Sequence, residues 1–511
     1  MDIKYLNKSG DNNMELNEMI NGINIFKGDK KLNIDIEHLA FKPNEVKENT
    51  LFFVLKNQHE EAEKEAVDAV NNGAIAIIAD HYIHNIKVPQ VLTPDVREAM
   101  ALISGNFYGR PFDKLKVIGI TGTNGKTTST YMLKSILESA GHKVGLIGTN
   151  GNLIGNEKIP ANLTTPDPFE MHDLMKKMVD KGCDYVVMEV SAHALYYKKV
   201  AGINFEVAIF TNLTQDHLDF FETMSNYGYY KSRLFTPIQS KNAVFNADDA
   251  FGRELMNKSQ IKNKKSYAIN NPANTIAKNE ILNLKGSKFT INMDGVEEKI
   301  LINLAGQYNI YNAMDSATAC KMLGVDMKNI KEGLQNLNQV DGRFNVYHSP
   351  FGYSVIIDYA HSPDGLENIL KNVKHLTSGN LVSVFGCGGN RDKKKRPMMG
   401  EISGNVADFT VLTSDNPRDE EPNTIISNIE RGIEKITSRY IKIANRKFAI
   451  EYAMNTAKVG DVIVIAGKGA EDYQEINGVK HHFSDKEVVE GILKKEERKV
   501  DLTNYNQENS R

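Results

Sequence analysis

One segment constrains the fold more than any other. The apolar run Leu115 to Thr121 leads into Gly122-Thr123-Asn124-Gly125-Lys126-Thr127-Thr128. Beyond it, Met132, Leu133, Ile136, Leu137 and Ala140 recur at helical spacing until Gly141. A strand, a glycine turn and a helix N-terminus in succession present backbone N–H groups to an anion. Gly122 and Gly125 allow phosphate to approach the backbone. Lys126 is placed to neutralise the β- and γ-phosphates of ATP, and Thr127 to hold Mg²⁺. The full phosphate-loop pattern has glycine five residues before the second glycine, where Ile120 stands here, so the loop is a shortened variant. A glycine turn carrying an exposed lysine is the plainer reading, but strand, loop and helix all agree against it.

Such a unit belongs in an α/β sheet, and the rest of the chain reads the same way. Short apolar runs at Leu51–Leu55 and Ala74–Ile78 flank a charged helix from Glu60 to Asn72, closed by Gly73. Gly109-Arg110-Pro111 marks a boundary. Further strands are expected at Tyr185–Glu189, Val207–Phe210, Val355–Ile357, Leu381–Phe385, Phe409–Leu412 and Val462–Ile465. Strands alternating with helices predict mainly parallel sheets with helices on both faces, and ligands outside the carboxyl ends of the strands. At 511 residues the chain divides into about three domains. The expected spans are 1–113, 114–340 and 341–497, with a polar, disordered tail at 498–511.

Polar clusters follow directly after several of these strands. Glu189-Val190-Ser191-Ala192-His193 and Thr211 to Asp219 could each complete a Mg²⁺ site through Glu189 and His217, because a hard cation on ATP favours oxygen ligands. Each taken alone is equally a buried hydrogen-bonded group or a strand cap. Lys231, in Tyr229 to Phe235, reads in isolation as a solvated lysine. Gly386 to Pro397 carries five basic residues on a glycine turn, a natural anion site. Ser414-Asp415-Asn416-Pro417-Arg418 sets a planar fork beside an amide, which suits a carboxylate ligand. Gly467-Lys468-Gly469-Ala470-Glu471-Asp472-Tyr473 follows the last strand.

Composition narrows the partners. A net charge of -3 offers no electrostatic case for nucleic acid or an anionic membrane. Cys183, Cys320 and Cys387 lack metal-site spacing and read as free thiols. Residues 1–11 have no apolar signal core, and no run of about 18 apolar residues occurs. A cytoplasmic, monomeric enzyme without a membrane span is the expectation.

Taken in order, these segments resemble the Mur ligases, and within them the tripeptide synthetases that add meso-diaminopimelate. The resemblance runs from about Leu115 to Asp485 and includes Asn162-Leu163-Thr164-Thr165-Pro166, Leu304 to Asn312, Gly342-Arg343 and Asp358 to Pro363. It implies an N-terminal mixed α/β UDP-sugar domain, a central ATPase domain and a C-terminal Rossmann-like domain. It also implies an acyl-phosphate reaction. The D-Glu carboxylate of UDP-N-acetylmuramoyl-L-Ala-D-Glu takes the γ-phosphate of ATP, and an amino acid amine then displaces phosphate to leave an amide.

Position by position, the resemblance implies that Gly122 to Thr128, Asn309, Asn312, Arg343, Asp358 and Lys393 meet the nucleotide, with His361 and Lys393 near its phosphates. Lys126, Lys231, His217 and Glu189 would be catalytic. Thr127, Glu189, His217 and Lys231 would hold Mg²⁺, with Lys231 carbamylated by CO₂ to a metal-bridging N6-carboxylysine. Thr164, Thr165, Ser191 and Lys199 would meet the carrier. Arg391, Asp415, Asn416, Arg418, Gly467 and Glu471 would form the amino acid pocket. There Arg418 could clamp the second carboxylate of diaminopimelate, and Glu471 the distal ammonium.

Departures from the pattern concentrate on the carrier side. Lys42-Pro43-Asn44 replaces Asp-Ser-Arg, and no Asp-Gly-His occurs around residues 57–59. Tyr197 and Lys199 stand where glutamine and arginine are usual, Asn390 where aspartate is, and Ala470 where histidine is. A paralogue joining a diaminopimelate-like or other amino acid, such as lysine, to a different carboxylate is the alternative reading. A phosphate-loop kinase or a non-catalytic descendant is the more distant one.

Overall fold

The computed structural model describes residues 13–28, 32–56 and 59–508, with Lys27 and residues 501–508 described for their backbone alone. Three sheets carry the chain. The first has five strands: β1 (Lys27–Gly28), β2 (His38–Ala40), β3 (Thr50–Phe53), β4 (Ala74–Ala79) and β5 (Gln90–Leu92), ordered β1-β5-β4-β3-β2. All but β1 run parallel. Helix α1 (His59–Asn71) buries Ala62, Ala66 and Ala69, which fall on one face at helical spacing. Helix α2 (Val96–Phe107) starts where the Asp95 side chain accepts the Glu98 N–H at 2.9 Å.

The second sheet centres on β6 (Lys116–Thr121), which feeds helix α3 (Lys126–Ser139) through the glycine loop. It continues with β7 (Val144–Ile147), the hairpin β8 (Asn152–Ile154) and β9 (Glu157–Ile159), helix α4 (Pro168–Asp180), β10 (Tyr185–Glu189), β11 (Phe205–Phe210), helix α5 (Met224–Ser232), β12 (Ser240–Asn246) and β13 (Asn263–Ala268). A meander of β14 (Thr275–Asn283), β15 (Gly286–Met293) and β16 (Val296–Ile302) closes it, and helix α6 (Gln307–Met322) packs across its face. The order is β9-β8-β7-β10-β6-β11-β12-β13-β14-β15-β16. The seven strands from β7 to β14 pair in parallel, and antiparallel hairpins finish both edges. The central strands β6, β10 and β11 are buried on both faces and read as apolar runs, as the sequence predicts. The edge hairpins alternate between buried and exposed residues and had no such signature.

The third sheet has β17 (Asn345–His348), β18 (Ser354–Asp358), β19 (Leu381–Phe385), β20 (Phe409–Leu412), β21 (Tyr440–Lys442) and β22 (Val462–Ala466), ordered β17-β18-β22-β19-β20-β21. Only β17 is antiparallel. Helices α7 (Pro363–Leu376), α8 (Lys395–Val406), α9 (Pro422–Ile433) and α10 (Arg446–Thr456) flank it. A small hairpin, β23 (Tyr473–Ile476) and β24 (Val479–His482), stands beside its carboxyl edge. Helix α11 then runs from Asp485 to Glu508. The disordered tail expected from residue 498 is therefore corrected: the helix continues to 508. Its preceding turns are anchored where Glu496 accepts hydrogen bonds from Ser349 (2.6 Å) and Tyr353 (2.7 Å).

The carboxyl ends of the second and third sheets face each other. Asn124 donates to Asp364 at 2.8 Å, Asn150 to the Asp341 carbonyl at 2.6 Å, and Arg343 to Thr127 Oγ1 at 2.9 Å. The first sheet joins the second where Lys198 pairs with Asp95 and Glu98, both at 2.5 Å.

Candidate active site

The glycine loop sits at the tip of β6 because its backbone has nowhere else to go. Gly122 and Gly125 have φ of +150° and +90°. A Cβ at Gly125 would lie 2.5 Å from Asn312 Oδ1, and one at Gly122 would overlap the Thr211 hydroxyl. Asn212 Oδ1 accepts the Asn124 N–H at 2.9 Å, and the Thr211 hydroxyl donates to Asn124 O at 2.6 Å. Thus β6 and β11 shape the loop together. Lys126 Nζ folds back onto the carbonyls of Gly122 (2.9 Å) and Thr123 (2.7 Å). Burial lowers its pKa, opposed by the charges of Glu189 and Asp216.

Behind the loop stands a polar ladder on α6. Asn312 donates to Asn309 Oδ1 at 3.1 Å, and Asn309 to the Ala305 carbonyl at 2.7 Å. One turn on, Asp315 accepts from Ser129 at 2.7 Å. Burial raises the Asp315 carboxyl to about 8, against hydrogen bonds from Ser129 and Ser316 that lower it.

A cavity of about 640 Å³ lies over the loop. Its walls include Lys126, Thr127, Glu189, His217, Asn312, Arg343 and Asp358, with Asp248, Tyr267, Tyr308 and Tyr311 at its far side. Thr127 Oγ1 donates to Glu189 Oε1 at 2.9 Å, and Thr149 meets both oxygens of that buried carboxylate. A hydroxyl beside a carboxylate below a phosphate loop fits Mg²⁺. His217 lines the same cavity, and burial pulls its imidazole down to about 3, so a neutral nitrogen faces the site. Among the described residues no cluster of three or more carboxylate, imidazole or thiol groups forms a complete cage.

Lys231 is not the solvated lysine that it resembles in isolation. It is buried, with Nζ 2.7 Å from Gly122 O and 4.3 Å from the Tyr227 ring centroid. Burial and then Lys126 drive its pKa well below the usual lysine value. Burial of this kind disfavours the charged ammonium.

A second, smaller cavity of about 140 Å³ lies between the sheets. It gathers Arg391, Asp415, Asn416, Arg418, Gly467 and Glu471. Asp216, His217, Tyr359 and His361 line both cavities and form their junction. Burial alone would raise the Asp216 carboxyl, but the His361 hydrogen bond and the charges of His217, His361 and Lys395 hold it well below the usual carboxylate range. Within the pocket, Lys468 donates to Asn416 Oδ1 (3.1 Å) and Glu471 Oε2 (3.0 Å), and Asn416 donates to Glu471 Oε2 at 2.9 Å. Arg418 (φ +52°) donates to the Gly389 carbonyl at 2.9 Å. The buried Arg446 ties the pocket's two loops together through the carbonyls of Ser414 (3.4 Å) and Ala466 (3.0 Å), itself held by Asp485.

Not every expected residue reaches a cavity. Lys393 lines neither cavity: it is 69% exposed and 3.6 Å from Glu420. The basic run straddles a loop and the start of α8, so its members face different ways: Arg391 and Lys395 line the smaller cavity and Arg396 is buried. Thr165 is buried, donating to Glu189 O at 2.8 Å and accepting from Ser191 N at 3.1 Å, so it braces two loops. Thr164 and Ser191 line the larger cavity. Lys199 pairs with Asp167 at 2.8 Å. Residues 57 and 58 of the missing Asp-Gly-His lie outside the described residues.

The sequence reading assigned no role to Asp216, Asp364, Thr149, Lys468 or Tyr359. Asp216 and Lys468 lay inside motifs already singled out, and adjacency to His217 and Glu471 was their signal. Asp364 offered none, since its partner Asn124 is 240 positions away.

Known proteins resemble this chain over most of its length. The Mur ligase middle domain matches residues 120–320, and the Mur ligase, glutamate ligase domain matches residues 342–469. The chain is 45% identical over 488 residues to the UDP-N-acetylmuramoyl-L-alanyl-D-glutamate--2,6-diaminopimelate ligase of Clostridium tetani, covering 94% of this chain and 99% of that one. It is 40% identical over 484 residues to the protein of the same name from Clostridioides difficile, covering 94% and 100%. A solved structure of a ligase of that name superposes with a TM-score of 0.69 at 29% identity, covering 95% of this chain and 99% of that one. The MurF ligase of Thermotoga maritima, solved with ADP, shares the fold at a TM-score of 0.58 and 19% identity, covering 85% and 94%.

Proposed function

The chain belongs to the Mur ligase family, and from that premise we propose how its residues divide one reaction among them. It is an ATP-dependent, amide-forming ligase of peptidoglycan precursor synthesis that adds diaminopimelate to UDP-N-acetylmuramoyl-L-Ala-D-Glu. The observation that carries the assignment is the pair of cavities meeting at Asp216, His217, Tyr359 and His361. Phosphoryl transfer and amine attack need the acyl phosphate within reach of both, and such a junction allows it.

The division at residues 113 and 340 gives each sheet one substrate: carrier, ATP and amino acid in turn. The N–H groups at the head of α3 cradle the phosphates of ATP. Lys126 turns from its loop carbonyls onto the β- and γ-oxygens, while Arg343 reaches in from the third sheet. The carrier carboxylate attacks the γ-phosphorus and ADP leaves. The free amine of the amino acid then attacks the acyl carbon, the amide forms, and phosphate departs. Catalysis of this kind is mostly positioning and charge stabilisation. Mg²⁺, held by Thr127, Glu189 and His217, would mask phosphate charge during the first step.

Lys231 supports the carbamate reading. Its burial without an ion pair among the described residues disfavours the ammonium and leaves an amine able to add CO₂, which with loss of a proton gives a carbamate anion beside the residues assigned to Mg²⁺. In the smaller cavity, Arg418 clamps the distal carboxylate of meso-diaminopimelate and Glu471 takes the distal ammonium. On the carrier side, Thr164, Ser191 and Lys199 meet the muramoyl-dipeptide, with Thr165 bracing them.

The deciding assay is phosphate release by the purified protein with ATP, Mg²⁺, meso-diaminopimelate and UDP-N-acetylmuramoyl-L-Ala-D-Glu. Turnover dependent on all four is expected. Release with a different carboxylate acceptor and none with this one would reassign the carrier.

A further inference from the structure

Arg418 does not stand alone in its pocket. Its Nε is 3.1 Å from Glu475 Oε2 on β23, and Nη1 donates to Gly389 O at 2.9 Å. Among the described residues these contacts leave Nη2 and the second Nη1 hydrogen open to a ligand. The hairpin of β23 and β24 is stitched to the Arg418 loop by backbone as well. Arg418 N donates to Glu475 O at 3.0 Å, Asn477 N to Arg418 O at 2.9 Å, and Glu475 N to Asn416 Oδ1 at 3.0 Å. Gln474 Nε2 holds the Asp415 carbonyl at 2.5 Å. The backbone zipper places the loop without the Glu475 carboxylate. That carboxylate, 27% exposed, makes one separate contact, with the Nε side of the guanidinium.

We infer that Glu475 is a positioning residue for amino acid specificity. It holds Arg418 by the Nε edge so that the terminal edge presents paired donors to the second carboxylate of the incoming diamino acid. The inference rests on the assignment of Arg418 to that carboxylate. Arginine's long side chain has many rotamers, and a fork aimed in advance binds better than one that must be ordered on binding. An amino acid ending in an ammonium alone gains nothing from the aimed fork, so Glu475 widens the gap between meso-diaminopimelate and lysine.

The test is steady-state kinetics of Glu475→Ala, Glu475→Gln and Arg418→Ala, with meso-diaminopimelate and L-lysine as alternative substrates and melting temperatures recorded for each. Glu475→Ala should raise the KM for meso-diaminopimelate about tenfold, as loss of one charge-assisted contact does. Its kcat and its KM for ATP should stay within about twofold of wild type, inside the context-dependent spread of such contacts. Preference over lysine should narrow by the same factor. Glu475→Gln keeps an acceptor for Nε and should recover part of the loss. An unchanged or lower KM in Glu475→Ala overturns the inference, a lower one marking the carboxylate as a competitor for Arg418. If Arg418→Ala raises the KM while Glu475→Ala does not, the inference fails and the pocket assignment stands. If neither moves it, both fail.

Discussion

Replacing Arg418 by alanine tests the amino acid pocket most directly, because the partner group can be removed from the substrate too. The Arg418 side chain is 20% exposed, so water screens its bond to a carboxylate only in part. A bidentate, charge-assisted pair of this kind contributes about 1.5–3 kcal/mol. The KM for meso-diaminopimelate should therefore rise on the order of 10- to 150-fold. Arg418→Ala also strands the Glu475 carboxylate beside the substrate's own, which pushes the loss toward the upper end. L-Lysine lacks the second carboxylate, and its terminal ammonium is repelled by the guanidinium, so its KM should stay level or fall. Enzyme change and substrate change thus form a double cycle whose coupling isolates the one contact. Arg418 lines the smaller cavity and is not among the residues of the larger one, so the KM for ATP should not move. Initial rates of phosphate release at saturating carrier measure all three. Equal losses for both amino acids, or a parallel rise in the KM for ATP, would refute the reasoning.

Three further outcomes follow from buried charges. Arg446 and Asp485 are both fully buried, so Arg446→Met leaves a stranded carboxylate and should cost about 3–5 kcal/mol in urea unfolding, while Arg446→Met with Asp485→Leu recovers most of it; an unaltered single variant would contradict this. Asp315, raised to about 8 by burial, keeps its proton in the folded chain while the unfolded chain ionises near its ordinary 3.8. Its contribution is whole below the unfolded value and is lost as pH rises toward 8, so the wild-type melting temperature should fall relative to Asp315→Asn between pH 5 and 8 and level off above. A constant difference across that range would count against a protonated Asp315. Turnover should drop when CO₂ and bicarbonate are stripped from the buffers and return on adding bicarbonate; insensitivity would argue against a carbamate on Lys231.

The legible parts of this molecule share a physical cause. Strands of a parallel sheet are buried on both faces, so 116–121, 185–189, 381–385 and 462–466 appear as apolar runs with polar loops at their ends. Residues on those loops inherit that visibility, which is why Lys126, Glu189, His217, Asn416 and Arg418, all of which line a cavity, stood out as candidates in the sequence. What stayed hidden depends on partners far along the chain or on direction. The hairpins at 152–159 and 473–482 are short and half exposed, with no periodicity long enough to register. Lys393 and Lys395 are chemically alike and two residues apart, yet one faces solvent and the other lines the smaller cavity, because helix α8 begins between them. Glu475 looked like any surface carboxylate of a charged turn.

That last residue shows where function leaves the motif. The Asp-Asn-Pro-Arg segment supplies the guanidinium, but a guanidinium recognises a carboxylate only through the edge that it presents. Here the edge is set by a hairpin outside the segment, by a carbonyl at Gly389 and by the turn at Arg418 with φ +52°. A chain could keep all four motif residues and still lose the preference if the hairpin shifted by one residue, since the alternation of strand side chains would turn the carboxylate at 475 to the opposite face. Specificity in this pocket is therefore a property of register as much as of residue identity.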